Sequence, residues 1–247
     1  GAGFFAYGAL TTVNLQPGVV LRANDATGEG GGAFIDSRWG TGEVIVNVNR
    51  AVIEENRTGG NGGGLRLRGH TTISASLSST LIQSNTAVYS GGALFIETTY
   101  NAGTAVLNDV HLLNNRATTE GGALFIKMNV VTTMTDSCIV GNSYTAVTEQ
   151  SASAISAIDN WWGVRNGPGG AGPGLGDAVS ALVDYSNFKT APPPGCPDLS
   201  PHVGLRKTVE GIPAPFGVVT YTLVLTNSGF GPDPAVELRD ELPLQVT

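Results

Sequence analysis

Five times in this chain a Leu or Ile stands three residues before an Asn: Leu21/Asn24, Ile53/Asn56, Ile82/Asn85, Leu112/Asn115 and Ile139/Asn142. After the first four, a glycine pair begins six residues beyond the Asn, at Gly30, Gly62, Gly91 and Gly121, and an apolar run follows. The Asn-to-Asn steps are 32, 29, 30 and 27 residues. No other feature narrows the fold as much. A repeat of this period specifies stacked coils, each touching only its neighbours, in place of a globule around one centre.

The pattern within a coil names the element. Val44-Ile45-Val46-Asn47-Val48, Thr71-Thr72-Ile73-Ser74-Ala75, Ala105-Val106-Leu107 and Val131-Thr132-Thr133-Met134 precede the Asn motifs, and Ala33-Phe34-Ile35, Leu65-Arg66-Leu67, Ala93-Leu94-Phe95-Ile96 and Ala123-Leu124-Phe125-Ile126 follow the glycines. Short β-branched runs between turn residues, without a helical period, predict an all-β chain. Coils of this length stack by parallel pairing, about 4.8 Å apart, so five coils rise roughly 24 Å. The stack predicts an inward ladder of Leu21, Ile53, Ile82, Leu112 and Ile139, and an amide ladder of Asn24, Asn56, Asn85, Asn115 and Asn142. Asn is expected at a left-handed corner, and the glycine pair at a second corner where a Cβ would meet the next coil.

Over residues 10–150, the pairing of [LI]xxN with GGAL or GGAF resembles the repeats of chlamydial polymorphic outer-membrane proteins and related bacterial surface β-helices. The resemblance implies a secreted right-handed parallel β-helix acting in adhesion or as a stalk. Arg66 departs from the pattern, standing where Phe34, Phe95 and Phe125 stand in the other coils.

In the fifth coil Thr148-Glu149 falls where the glycines are expected, which marks the end of the solenoid. Open strand edges there need a cap. Trp161 and Trp162, in Asn160-Trp161-Trp162-Gly163, are the expected cap, and Gly176–Ser180 with Val183–Tyr185 looks like the closing coil of many bacterial β-helix proteins. Residues 1–190 are therefore assigned to the β-helix and 191–200 to a stiff Pro-rich linker. Residues 201–247 change to alternating strands. Lys207-Thr208-Val209, Phe216-Gly217, Thr220–Thr226, Asn227-Ser228-Gly229, Val236–Asp240 and Leu242-Pro243 resemble an Ig-like conserved-repeat domain of bacterial surface proteins. A complete sandwich needs about 100 residues, so the module reads as partial. Either the native chain continues, or another subunit supplies strands.

Composition excludes more than it names. Only 13% of the 247 residues are charged and the net charge is −7, with no basic run, which leaves no footprint for nucleic acid. No stretch reaches the roughly 20 apolar residues of a membrane helix. Gly makes up 35 residues, but at fixed repeat positions, so ordered turns are expected in place of disorder. The absence of an initiator Met and of a signal sequence reads as a mature or excised piece.

Candidate chemistry is sparse. His70, His111 and His202 show no metal-ligand spacing, and no nucleophile motif occurs. Gly59–Gly63 lacks the Asp of calcium-binding glycine repeats, and the sequon Asn56-Arg57-Thr58 uses a ladder Asn. No cofactor or metal is expected. The acidic residues Asp36, Glu97, Asp109 and Asp136 read as sharing no repeat position, which argues against a polysaccharide lyase or hydrolase. Trp39 and Tyr100 share one, fifteen after the Asn, as loop packing or a glycan contact.

Cys138 and Cys196 can form one disulfide or remain two separate thiols. Cys138 precedes an inward Ile, so alternation points it outward, within reach of a returning tail. The same outward position holds Val20, Val52, Leu81 and His111, and the first three predict an apolar contact strip unless the tail covers it. The expected role is a secreted, self-associating surface protein: a filament, stalk or sheath subunit. The alternative is an adhesin for a glycan or another surface protein, and a glycan-cleaving enzyme ranks third.

Overall fold

The computed structural model describes residues 3–37, 39, 41–150, 155–201, 203–211, 220–228 and 236–239. His202, Phe216, Gly217, Gly229, Asp240, Leu242 and Pro243 lie outside the described residues. The chain divides into two units, residues 1–198 and 199–247.

The first unit is a parallel β-solenoid of about six turns. Its first coil holds β1 (Phe4–Gly8), β2 (Leu10–Leu15), β3 (Val20–Arg22) and β4 (Asp25–Ala26), and the second β5 (Ala33–Ser37), β6 (Glu43–Asn49), β7 (Val52–Glu54) and β8 (Arg57–Thr58). The third coil has β9 (Leu65–Gly69), β10 (Thr72–Gln83) and β11 (Thr86–Ala87), and the fourth β12 (Leu94–Thr98), β13 (Gly103–Leu113) and β14 (Arg116–Ala117). The fifth has β15 (Leu124–Lys127), β16 (Val130–Thr135) and β17 (Cys138–Val140). Beyond it come β18 (Thr145–Glu149) and β19 (Ile155–Ser156), then β20 (Pro168–Gly170), β21 (Gly176–Val179) and β22 (Val183–Asp184).

Like strands stack on like. One sheet runs β1-β5-β9-β12-β15-β18-β21-β20, a second β2-β6-β10-β13-β16-β19-β22, and a short third β14-β11-β8-β4. All of these pairs are parallel, as coil-on-coil stacking requires. The core is a set of columns: Ile35, Leu67, Ile96 and Ile126 from the first sheet, Ile53, Ile82, Leu112 and Ile139 from the second. Leu21 pairs in register with Ile53 but is only half-buried, because the first coil has a neighbour on one side. Each buried Ile or Leu contributes about 1.5–3 kcal/mol.

Left-handed residues turn the chain at three places in each complete coil. One site holds Gly18, Arg50, Ser79, Asp109 and Asp136, and another Ala23, Glu55, Ser84, Asn114 and Gly141. The third holds Gly30, Gly62, Gly91 and Gly121. This corrects the expected corner: the residue before each ladder Asn takes the left-handed backbone, and the Asn itself does not. The second glycine of each pair has the steric role. A Cβ on Gly31, Gly63 or Gly92 would run into the carbonyl of the same glycine one coil further on.

The amide ladder satisfies every hydrogen-bonding group of its interior members. Asn85 Nδ2 donates to Asn115 Oδ1 at 3.0 Å and to the Ile53 carbonyl at 2.9 Å. Asn85 Oδ1 accepts from Asn56 N at 3.0 Å and Asn56 Nδ2 at 2.9 Å. Asn24, Asn56, Asn115 and Asn142 continue the chain: each side-chain amide donates to the next rung, and those of Asn56, Asn115 and Asn142 also donate back to the carbonyls of Leu21, Ile82 and Leu112 in the coil before. Asn56 is buried, so the sequon asparagine is not presented to solvent.

Three expectations for the end of the stack change. Coils continue past the fifth. The glycine pair is not replaced by Thr148-Glu149, because those residues pair with Phe125 and Ile126 inside β18. The loop has lost four residues relative to the coil before, and Tyr144 takes the left-handed turn that Gly121 makes there. Nor do the tryptophans end the stack. Trp161 bridges Cys138, so Trp162 follows Ile139 in the aliphatic column, fully buried, and β21 and β22 stack beyond it. Tyr185 and Phe188 pack against the core there.

The second unit, among the described residues, holds one antiparallel hairpin of β23 (Val203–Glu210) and β24 (Thr220–Asn227), paired from Val203↔Asn227 to Glu210↔Thr220. Two strands do not make an Ig-like sandwich.

Candidate binding groove

The predicted strip forms one column on the outer surface: Val20, Val52, Leu81, His111, Cys138 and Trp161 lie in register. Its C-terminal half is covered. Cys138 and Cys196 form a disulfide with Cα atoms 6.0 Å apart, Cys196 Sγ is 4.0 Å from His111 Nε2, and Trp161 Nε1 donates to the Pro197 carbonyl at 2.8 Å. The Pro-rich segment therefore straps the solenoid and groups with the first unit up to Asp198. The remaining half narrows: Val20 is 53% exposed, but Val52 and Leu81 are half-buried. Arg22, Glu54 and Gln83 flank it, with Glu54 accepting from both neighbours and held below the usual carboxylate range by Gln83 and Arg22.

A more developed surface lies on the outer face of the first sheet. Three repeat positions build it. The first, five residues after the ladder Asn, holds Glu29, Asn61, Ser90 and Glu120, and forms one wall just before the glycines. The second, ten after, holds Phe34, Arg66, Phe95 and Phe125, of which the last three form the floor. The third, twelve after, holds Asp36, Arg68, Glu97 and Lys127. Parallel pairing puts equal positions side by side, so each becomes a line along the solenoid. Between them lies a groove of about 610 Å³ that reaches Gln150 at its C-terminal end.

Arg66 is its centre. The guanidinium carbon sits 4.0 Å above the Phe95 ring, which stacks on Phe125 at 4.8 Å. Nε donates to Glu29 at 3.1 Å and Nη2 to Glu97 at 2.5 Å, while Nη1 is buried with no partner among the described residues. The outer line alternates in sign. Arg68 makes a bidentate pair with Asp36 at 2.8 and 2.5 Å, and Lys127 lies 3.7 Å from Glu97. Glu120 on the wall forms no ion pair among the described residues.

This corrects the reading that the acidic residues share no repeat position. Asp36 and Glu97 both stand twelve after their ladder Asn, with Arg68 in register between them. The signal was present, but the residue class changes from coil to coil, so a search for recurring acids passes over it. Arg66 interrupts an aromatic line because it faces outward, where a cation on Phe95 is favourable.

Trp39 and Tyr100 are both exposed, with the Trp39 ring 4.5 Å from that of His70 and Tyr100 N donating to the His70 carbonyl. His70 lies 3.6 Å from Asp36, and burial lowers its pKa. No group of three His, Cys, Asp or Glu among the described residues is arranged to hold a metal ion. No helix among them is long and apolar enough to cross a membrane.

The chain matches no protein-family model, no curated protein and no solved structure. The fold and the groove carry the functional argument.

Proposed function

We propose that this chain is an extracellular structural protein of a bacterial surface: a right-handed β-helix stalk, sheath or filament element that associates with its own copies and performs no catalysis. The hairpin β23–β24 carries the reading. Val203, Leu205, Val209, Val224 and Leu225 are exposed on it, and its outer edges are unpaired among the described residues. An isolated two-stranded hairpin is marginal in water, and free edges are templates for further strands. An Ig-like module whose sheet a neighbouring subunit extends meets both needs through strand addition. The ladder, the buried glycine corners and the strap support the stalk, since they use the recurring positions of the repeat for stacking.

Light scattering of the full chain over a wide concentration range tests this. Oligomers that Val209→Lys reduces are the expected result, because an edge lysine blocks strand addition. A strict monomer at every concentration overturns the proposal. The second reading, adhesion, is favoured by the groove.

A further inference from the structure

The groove on the first sheet goes beyond a stalk. A purely structural outer face needs no channel, no buried guanidinium with an unused donor and no unpaired carboxylate above it. The geometry points to a binding site for a neutral oligosaccharide or polysaccharide, lying along the solenoid axis between the Glu29–Glu120 wall and the Arg68–Lys127 line.

Polarity excludes an apolar ligand. Phe95 and Phe125 form the floor but are each only 4% exposed, so a ligand meets mainly the polar atoms around them. The side chains around them mix donors and acceptors: Arg66, Asn61, Ser90, Lys127, Glu120 and Gln150. Hydroxyl groups both donate and accept, so a sugar can satisfy such a mixture where a lipid or an apolar peptide cannot.

Charge selects the neutral class. Each groove cation already has a carboxylate: Arg66 has Glu29 and Glu97, Arg68 has Asp36, and Lys127 has Glu97. Glu120 adds a negative charge at the wall that has no ion-pair partner among the described residues. A uronate or sulfated chain would therefore meet repulsion without a free cation in return. Periodicity agrees. The three lines repeat once per coil, about every 4.8 Å, a spacing similar to the length of one sugar unit in an extended chain. A peptide would instead take its hydrogen bonds from an open sheet edge, and this surface is a sheet face.

Calorimetry on the full chain with neutral hexose oligosaccharides of increasing length tests the assignment, with uronate and sulfated oligosaccharides as comparison arms. Affinity for at least one neutral series should rise with length and level off once the ligand spans the coils that line the groove. Glu120→Arg changes an exposed wall residue outside the core. It should weaken binding at least tenfold while leaving the melting temperature and the oligomeric state unchanged. Arg66→Lys should weaken it as strongly, and comparison of its melting temperature with that of Glu120→Arg separates lost binding from lost folding. The assignment is overturned if no neutral saccharide binds, if only anionic saccharides bind, or if Glu120→Arg leaves binding unchanged. Because Glu120→Arg spares the hairpin, failure here leaves self-association standing, and a monomeric chain leaves the groove assignment standing.

Discussion

Coils two to five and the coil beyond them do the same stacking job with different residues. In the middle, Asn donates to Asn, glycine passes glycine, and Ile or Leu lies on Ile or Leu. At the end, Asp177 replaces the Asn, Tyr144 replaces the glycine turn, Trp162 replaces the aliphatic, and a disulfide is added. The amide ladder explains why. It runs one way, so every interior rung needs both donors and acceptors, whereas the last rung needs only to accept. A carboxylate only accepts. Asp177 takes hydrogen bonds from Gly141 N at 2.9 Å, Asn142 N at 2.8 Å and Asn142 Nδ2 at 2.7 Å. Repetition is thus required only where a coil has like neighbours on both sides.

Exchanging the two kinds of rung tests this most severely. Asn85→Asp removes the Nδ2 donor from Asn115 and Ile53 and buries an uncompensated charge, and should cost about 4 kcal/mol. Asp177→Asn at the end should stay within about 1 kcal/mol at neutral pH. Equal losses in denaturant titrations would break the distinction. The strap comes next. Cys196→Ser opens a link between residues 58 apart in sequence and should cost about 3 kcal/mol, read in the same titrations.

At the glycine corner the two regions should differ in sign. Gly92→Ala forces a Cβ onto the Gly122 backbone and should cost about 2–3 kcal/mol. Tyr144→Gly relieves a left-handed residue that is mostly exposed, and should gain about 0.5 kcal/mol in thermal denaturation.

Asp177 gives the pH signature of the end coil. Burial raises its carboxyl from 3.8 to about 6, against the pull of the Asn142 and Gly141 donors. The fold therefore favours the protonated form. Relative to Asp177→Asn, the wild-type chain should be most stable below the ordinary carboxyl range and lose about 3 kcal/mol as pH rises from there through about 6. Taking the difference cancels His70, whose pKa is shifted the other way from that of a raised carboxyl. A flat difference between pH 4 and 8 would show that the rung is ionised throughout.

Much of this molecule is legible in its sequence because a solenoid converts sequence period directly into spatial neighbourhood. The aliphatic and amide columns follow from Leu21/Asn24 to Ile139/Asn142 by counting. The groove could be counted as well, at five, ten and twelve residues after each Asn, but only by comparing columns whose residues differ: Phe, Arg, Phe, Phe in one, Asp, Arg, Glu, Lys in another. Counting fails at the sixth turn, where the shortened loop moves Tyr144 and Thr148 out of the register that the earlier coils establish.

By itself, then, the sequence determines that the chain is all-β, that it stacks in coils, and which residues lie on one another within the regular coils. Periodic backbone pairing leaves no other economical arrangement. Only the tertiary structure decides which residue turns left-handed, that Asp177 closes the ladder, that the Pro-rich segment returns to bond Cys138, and that Arg66 keeps an unused donor. Each of these depends on groups brought together across a change of register or a long loop, where contact is set by packing and solvation and not by the count along the chain.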